Sequence, residues 1–404
     1  VTRSTPTSID ELRAAIGDAL AAEEPMEVIA GGSKRGLGRP MQTPRTLDLS
    51  GIAGIRSYQP NELVLTAGAA TPLDEIAEAL AEARQMLAFE PPDWRKLLST
   101  ADSRPTLGGA LACNLSGPRR IKAGAARDHL LGFRAVSGRG EIFKSGGRVV
   151  KNVTGYDLSK LMVGSYGTLA ALEEVTVKVL PRPERIATVV LCGLDPAAAV
   201  RAMRHALASA HDVSAAAYLP AGSVPAPMAM VGIAALRLEG PEPSVAYRRG
   251  RLLAELGADC ESAVLDGAAS VAFWRAVRDA EPFAAPADRA VWRVSAAPSR
   301  GAEIGEAIAR HLDALWYLDW GGGLVWVAVS GAEDGGAALI RAAIRGADGH
   351  GTGHATLIRG AAALRRAVPV FEPQPPALAA LAARVKDSFD PRHILNPGRM
   401  VERS

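Results

Sequence analysis

An α+β protein of two domains is the expectation for this 404-residue chain. Short strand-like runs alternate with helices whose apolar residues recur every three or four positions. The texture also changes at Pro181-Arg182-Pro183. Before it, glycine recurs every few residues from Ser99 to Gly167; after it come Ala-rich helices and longer apolar strands. Apolar residues make up 48% of the chain, enough for two or three cores.

Each element has its own signal. Ser8 can cap a helix reaching Ala22, with Glu11 three residues on and Leu12, Ile16 and Leu20 at helical spacing. Glu27–Ala30 is a short strand that runs into Gly31-Gly32-Ser33-Lys34-Arg35-Gly36-Leu37-Gly38. Thr46–Leu49 and Leu63–Thr66 read as strands, Leu73–Ala83 as an amphipathic helix and Val175–Leu180 as a closing strand. Beyond Pro183, strands fit Ala187–Cys192, Val231–Leu238, Val291–Ser295, Leu315–Leu318 and Leu324–Val329. Helices fit Pro196–Ala208, Val245–Leu256, Val271–Ala280, Glu303–Leu312 and Ala337–Arg345. A mixed sheet with helices on one face is the expected layer. The last helix, Ala377–Phe389, stops at Asp390-Pro391, and the tail to Met400 is too apolar to be a frayed end. The expected domains are 1–181 and 182–389, with a tail at 390–404 expected to return to the first domain.

Charge excludes some functions. The 46 basic residues nearly balance 43 acidic ones, and no Lys/Arg run is interleaved with aromatics, so nucleic-acid binding gains no support. Cys113, Cys192 and Cys260 lie far apart, which argues against a disulfide framework, a zinc ribbon or a Cys-ligated cluster. Val1–Ala22 lacks the apolar run of a signal peptide, and no stretch approaches the ~20 residues that span a bilayer. The expectation is a cytoplasmic chain with no membrane span of its own, peripheral at the inner membrane where partner subunits hold it there.

The segment Gly31–Gly38 offers what a diphosphate needs. Glycine lets backbone N–H groups approach an anion, and Lys34 and Arg35 add two cations. A P-loop is excluded, because Leu37 and Gly38 stand where Lys and Ser/Thr are required. A dinucleotide Rossmann turn is excluded too, because Arg39-Pro40 and a strand follow instead of a helix. Two readings stay open: a loop that binds pyrophosphate by its own groups, and an ordinary glycine-rich turn.

A second cradle lies downstream. Thr106-Leu107-Gly108-Gly109-Ala110 leads to Asn114 and Gly117, then to Lys151-Asn152-Val153-Thr154-Gly155-Tyr156-Asp157, and then to Gly164-Ser165-Tyr166-Gly167-Thr168-Leu169. With Gly31–Gly38, this order resembles the FAD-binding domain of the vanillyl-alcohol oxidase superfamily, also called PCMH-type, over nearly all of residues 1–180. The tail Asp390-Pro391 to Asn396-Pro397-Gly398 resembles the C-terminal segment of the 2-hydroxyacid dehydrogenases of that superfamily. Adding Asp319-Trp320-Gly321-Gly322-Gly323 and Gly353-His354-Ala355-Thr356, the whole chain is similar to the FAD-binding subunits of bacterial glycolate oxidases (glycolate dehydrogenases).

The resemblance implies FAD, with the pyrophosphate on Gly31, Gly32, Ser33, Lys34, Arg35 and Gly36. It implies that Thr106, Gly108 and Gly109 run under the flavin, with Asn114 and Gly117 close by. Gly164, Ser165, Gly167 and Leu169 would offer further contacts, as would Lys151, Asn152 and Tyr156, and Asn396 and Gly398 would close the site. No His or Cys lies between Val28 and Arg45, where many relatives attach the flavin, so the expected FAD is non-covalent. The implied partners are a second, larger flavin subunit, an iron–sulfur subunit and a small 2-hydroxy acid.

Oxidising a 2-hydroxy acid needs a clamp for its carboxylate and a base for its hydroxyl proton. Arg293 and Arg359 are candidate clamps; His350 and His354, in a glycine-rich stretch expected to be a loop, are candidates to line the site. The stretch lacks the Asp-Gly-Asn core of metal-dependent relatives, so no metal is expected. Trp316, Tyr317, Trp320 and Trp326 form either a core or a contact surface. Three readings follow: a relay subunit of a glycolate-oxidising complex, a stand-alone 2-hydroxy acid dehydrogenase, or a structural subunit with a vestigial FAD site.

Overall fold

The computed structural model describes residues 1–147, 156–222, 231–257, 260–346 and 349–402. Helix Ile9–Ala22 starts where Ser8 Oγ accepts the Glu11 N–H at 3.3 Å. Its buried Leu12, Ile16 and Ala19 pack on a small parallel sheet ordered Thr2–Ser4, Arg45–Asp48, Met26–Ile29. Nearby, Ile55–Gln59, Val64–Gly68, Ala170–Lys178, Leu130–Ser137 and Ile142–Gly146 form a five-stranded antiparallel sheet, in that order.

The tail returns to the first sheet. Met26 donates to the Ile394 carbonyl at 2.7 Å and accepts from Asn396 N–H at 3.0 Å, so Leu395 continues the parallel pairing. Asp390 makes the turn possible. Its buried carboxylate accepts from the N–H groups of Ile394 (3.0 Å) and Leu395 (2.8 Å) and pairs with Lys386. Val385 and Phe389 of helix Pro376–Phe389 also pack against the N-terminal core.

Residues 185–359 supply an eight-stranded sheet. Its order is Ser262–Asp266, Arg185–Cys192, Ile233–Gly240, Ala215–Leu219, Asp313–Asp319, Leu324–Ser330, Ala290–Ala296, Gly353–Arg359. Each half runs strand, helix, two strands, helix, strand: two split βαβ units meeting at Tyr218 and Leu318. Every ladder is antiparallel, which corrects the expected mixed sheet. A helix brings the second strand back parallel to the first but one place removed, and the third strand fills the gap. Three strands escaped the sequence reading. Ala215–Leu219 is alanine-rich and reads as helix, Ser262–Asp266 is a half-exposed edge, and Gly353–Arg359 follows a run of glycines.

Alternation sorts the sheet into two faces. Ala290, Trp292 and Val294 face a core shared with the helices Pro196–Ala208, Glu242–Leu256, Gly301–Ala309 and Ala337–Arg345. Val291, Tyr317, Trp326 and Ile358 face the other way, onto Leu37, Trp94, Leu97, Cys113 and Leu115 of the N-terminal half. The tryptophans at 316, 320 and 326 are all buried, so their hairpin presents core rather than a surface.

A seam of charge crosses this second face. Arg237 donates to both oxygens of Glu90, at 2.9 and 3.2 Å, and Arg119 clasps both oxygens of Glu239, at 3.0 and 2.7 Å. Arg119 reaches Glu90 as well, at 3.1 Å. Burial opposes ionisation of Glu239, but Arg237 and Arg119 win and hold it down to about 2.

Candidate functional site

A cleft of about 740 Å³, counting its open mouth, runs between the two N-terminal sheets and the tail. That volume is ordinary for a cofactor site. One wall is the loop after strand Met26–Ile29. Gly32 has φ +77°, and Arg35 N–H turns back to the Gly32 carbonyl at 3.2 Å. The floor is helix Leu107–Ala112, capped by Thr106, whose Oγ1 accepts from Gly109 N–H. The far wall is Tyr166 and Gly167. Asn396 closes the end: its Oδ1 accepts from Val28 N–H and its Nδ2 donates to the Tyr166 carbonyl, both at 2.8 Å.

The cleft gathers Gly31, Gly32, Ser33, Lys34, Arg35, Thr106, Gly108, Gly109, Gly167 and Asn396. Two of these glycines are set by protein packing. A Cβ on Gly31 would lie 1.7 Å from the Arg104 carbonyl oxygen, and one on Gly108 would lie 2.6 Å from that of Ala69. Gly109 differs, since a Cβ there would point at Thr106 Oγ1 and the Lys34 side chain inside the cleft.

Other predicted residues lie elsewhere. Gly36 packs near Leu98 and its carbonyl accepts from Arg365. Asn114 takes φ +50°, accepts from Arg127 N–H at 3.3 Å and backs against Gly164 behind the floor helix. Ser165 donates its hydroxyl to the Met162 carbonyl at 2.7 Å, and Leu169 is core. Gly117 sits on the seam, tight against Glu90 and Arg278. Gly398 faces open space and Tyr156 is 93% exposed. Lys151 and Asn152 lie outside the described residues.

The electrostatics of the cleft are one-sided. Lys34 is half-buried in the cleft wall, and its only hydrogen-bond contact among the described residues is Ser33 Oγ at 3.1 Å. Burial pushes its ammonium below the usual lysine range, and distant Cys113 and Asp93 only soften that. Arg399 is buried, donating to the Lys34 carbonyl at 2.9 Å, and Cys113 is pushed up by burial beside them. An uncompensated ammonium among glycine N–H groups suits a bound diphosphate. Arg399, Cys113 and Tyr166 were missed in the sequence, although Arg399 follows Gly398 directly and Tyr166 lies inside the second glycine motif.

The catalytic candidates separate. Arg359 is spent on structure: its guanidinium donates to the carbonyls of Arg289, Leu97, Ala284 and Pro286 at 2.9–3.2 Å. That leaves no face for a substrate carboxylate. His350 lies in the exposed turn before strand Gly353–Arg359. His354 lies on the strand itself, corrected from a loop, opposite Ser295 and with access to solvent. Partial burial holds its imidazole below the usual range, and Arg293 adds to this. Among the described residues, no group of three or more His, Cys, Asp or Glu could hold a metal ion.

Residues 4–146 match the FAD binding domain family. Over 99% of this chain and 88% of theirs, the fold matches 4-ethylphenol oxidase from Gulosibacter chungangensis (13% identity, TM-score 0.70) and p-cresol methylhydroxylase (14% identity, TM-score 0.68). Fold and cleft thus define a protein with an FAD binding domain and the fold shared by these two structures. Glycolate oxidase subunit GlcE of Escherichia coli K12 is 36% identical over 391 residues, 95% of either chain. This chain belongs to that glycolate oxidase subunit family. Glycolate oxidase subunit GlcD of Bacillus subtilis is 41% identical over 96 residues, only 19% of its own length. No helix among the described residues is long and apolar enough to cross a membrane.

Proposed function

We propose that this chain is the FAD-carrying subunit of a glycolate-oxidising complex, working beside a larger flavin subunit and passing electrons towards an iron–sulfur subunit. The observation that supports it best is Lys34, a half-buried ammonium without a carboxylate partner among the described residues, set in a glycine cradle. End-to-end similarity to GlcE supports the substrate and the assembly.

In this reading Gly31, Gly32, Ser33, Lys34 and Arg35 hold the pyrophosphate, while Thr106, Gly108 and Gly109 underlie the flavin and ribityl chain. Asn396 and Gly167 close the end. Gly36, Asn114, Gly117, Gly164 and Ser165 shape the loops behind the cleft instead of touching the cofactor. The FAD is non-covalent, because the cleft's one thiol, Cys113, is kept protonated by burial. When bound, FAD supplies the two-electron acceptor for the 2-hydroxy acid. The functional units are 1–181 for the cofactor and 182–389 for substrate or partner, with 390–404 as the clasp. The complex lies on the cytoplasmic side, peripheral to the inner membrane through its partners.

The test is an absorbance spectrum of the purified chain, repeated on the supernatant after acid precipitation. Flavin bands that move wholly to the supernatant are expected. A colourless chain that cannot be loaded with FAD overturns the reading. Anaerobic glycolate then distinguishes a relay subunit, whose flavin stays oxidised, from a chain that bleaches alone.

A further inference from the structure

The motif Asp319-Trp320-Gly321-Gly322-Gly323 finds no role in holding FAD, yet the fold takes care over it. Trp320 has φ +54°, an uncommon conformation for a bulky residue, followed by Gly321 at +64° and Gly322 at +101°. Its indole N–H donates to the Gly117 carbonyl at 3.1 Å, and its backbone N–H donates to Asp319 at 2.7 Å. The ring is thereby fixed across the seam between the N-terminal half and the eight-stranded sheet.

Two guanidinium groups approach that ring: Arg120 at 4.2 Å from its centroid and Arg293 at 4.8 Å. Among the described residues there are two other arginine–tryptophan stacks, and they serve as controls. Arg237 over Trp274 is bidentate to Glu90, and Arg341 over Trp292 meets Glu372 at 3.5 Å and the Pro369 carbonyl at 2.6 Å. Neither Arg120 nor Arg293 has a side-chain hydrogen bond or ion pair to any described residue. Two like charges on one indole, Arg293 half-buried and Arg120 exposed, form an arrangement with no anion in contact among the described residues.

The position has a use. Arg293 comes from strand Ala290–Ala296 on the face that meets the N-terminal half, with Thr356 and Trp326 opposite it on the flanking strands. It lies within electrostatic reach of Tyr166, which lines the FAD cleft, and of His354. Tyr166 on the cleft wall thus lies within electrostatic reach of Arg293, which shares the Trp320 ring with the exposed Arg120.

We propose that Arg293 and Arg120, held on Trp320, form the binding site for the carboxylate of a small 2-hydroxy or 2-oxo acid. Arg293 is the inner ligand and Arg120 the outer one. Tyr166 and His354 are the polar side chains beside the ligand's second oxygen. This rests on the reading that the cleft beyond Tyr166 holds FAD, and places substrate recognition in this chain.

The probe is oxalate, a two-carbon diacid that cannot be oxidised as a 2-hydroxy acid, titrated calorimetrically into the FAD-loaded full chain. Wild type is expected to bind it, Arg293→Met to weaken binding roughly 30-fold or more, and Arg120→Met about three- to tenfold. Both variants should keep wild-type FAD content and melting temperature. If Arg293→Met does not fold, Arg293→Lys, which retains charge but loses the planar fork, is expected to bind at least several-fold more weakly. Wild-type oxalate affinity in Arg293→Met, or in Arg293→Lys should Arg293→Met not fold, overturns the proposal. So does a chain that holds FAD but not oxalate. A chain that binds oxalate but not FAD overturns the flavin reading alone, and the tryptophan fluorescence change on oxalate binding, lost in Trp320→Phe, then reports the site without the cofactor.

Discussion

Two groups of charge, one on the seam between the N-terminal half and the sheet that covers it and one reaching from the cleft to the surface, are built on opposite principles. Glu90, Arg119, Arg237 and Glu239 neutralise one another, with both oxygens of each carboxylate engaged. Lys34, Arg120 and Arg293 have no carboxylate within ion-pair distance among the described residues. Burying charge costs stability in either case. In the quartet the protein offsets that cost itself and gains a geometry locking one half to the other. In the second group the cost stands until something anionic arrives. Compensated charge marks the joint, and uncompensated charge marks the places we propose for ligands.

Breaking the quartet should show the largest effect. Arg237→Met leaves Glu90 buried with one partner fewer and should cost about 3–5 kcal/mol, read from urea denaturation. A loss below about 1 kcal/mol would place the quartet with ordinary surface pairs. Next is the tail clasp. Asn396→Ala strands the Val28 N–H and the Tyr166 carbonyl and should cost roughly 2–4 kcal/mol, with FAD retention reduced as the cleft end opens.

Lys34→Met tests the other side of the comparison. FAD affinity should fall about ten- to hundredfold by fluorescence titration, while the cofactor-free chain stays as stable as wild type or gains. A large loss of stability in the cofactor-free chain would make Lys34 a structural residue and end the distinction.

The pH response separates two buried carboxyls. Glu239 is held down to about 2, so its contribution is complete above the ordinary range near 4.5 and is lost as pH falls towards 2. Asp319 is pushed by burial up to about 7, so the folded state keeps a proton that the unfolded chain has lost above about 3.8. Its contribution therefore declines as pH rises from about 4 to 7. Denaturation midpoints at pH 5 and pH 8 should draw together in Asp319→Asn; an unchanged difference would assign the slope to another group. The smallest effect belongs to the exposed Lys96–Glu281 pair, where Lys96→Ala should change stability by less than about 0.5 kcal/mol.

Much of this was legible along the chain because it depends on local chemistry. Ser8 capping, helices Pro196–Ala208 and Ala337–Arg345, and the turn at Asp390 follow from periodicity, capping preference and the ban on proline inside a helix. The loop Gly31–Gly38 stands out by composition, and ten of the twenty predicted cofactor residues line one cleft. Lys34 and Gly109 meet inside that cleft although 75 residues separate them.

What the chain alone could not decide was which partners fill which groups. Arg293 and Arg359 look alike in sequence, each in an apolar strand. Carbonyls from Leu97, Ala284, Pro286 and Arg289 converge on Arg359, and among the described residues nothing comparable reaches Arg293. Strand parity could not choose the face either, because both faces of the eight-stranded sheet are buried and the strands read as unbroken apolar runs. Some glycines also answer to packing that the sequence does not show. Gly31, Gly108 and Gly117 are small because a carbonyl or side chain from a distant segment occupies the space a Cβ would take. Local pattern determined the elements and the glycine-rich loop. Only packing between distant segments decided which charges are cancelled and which have no ion-pair partner among the described residues.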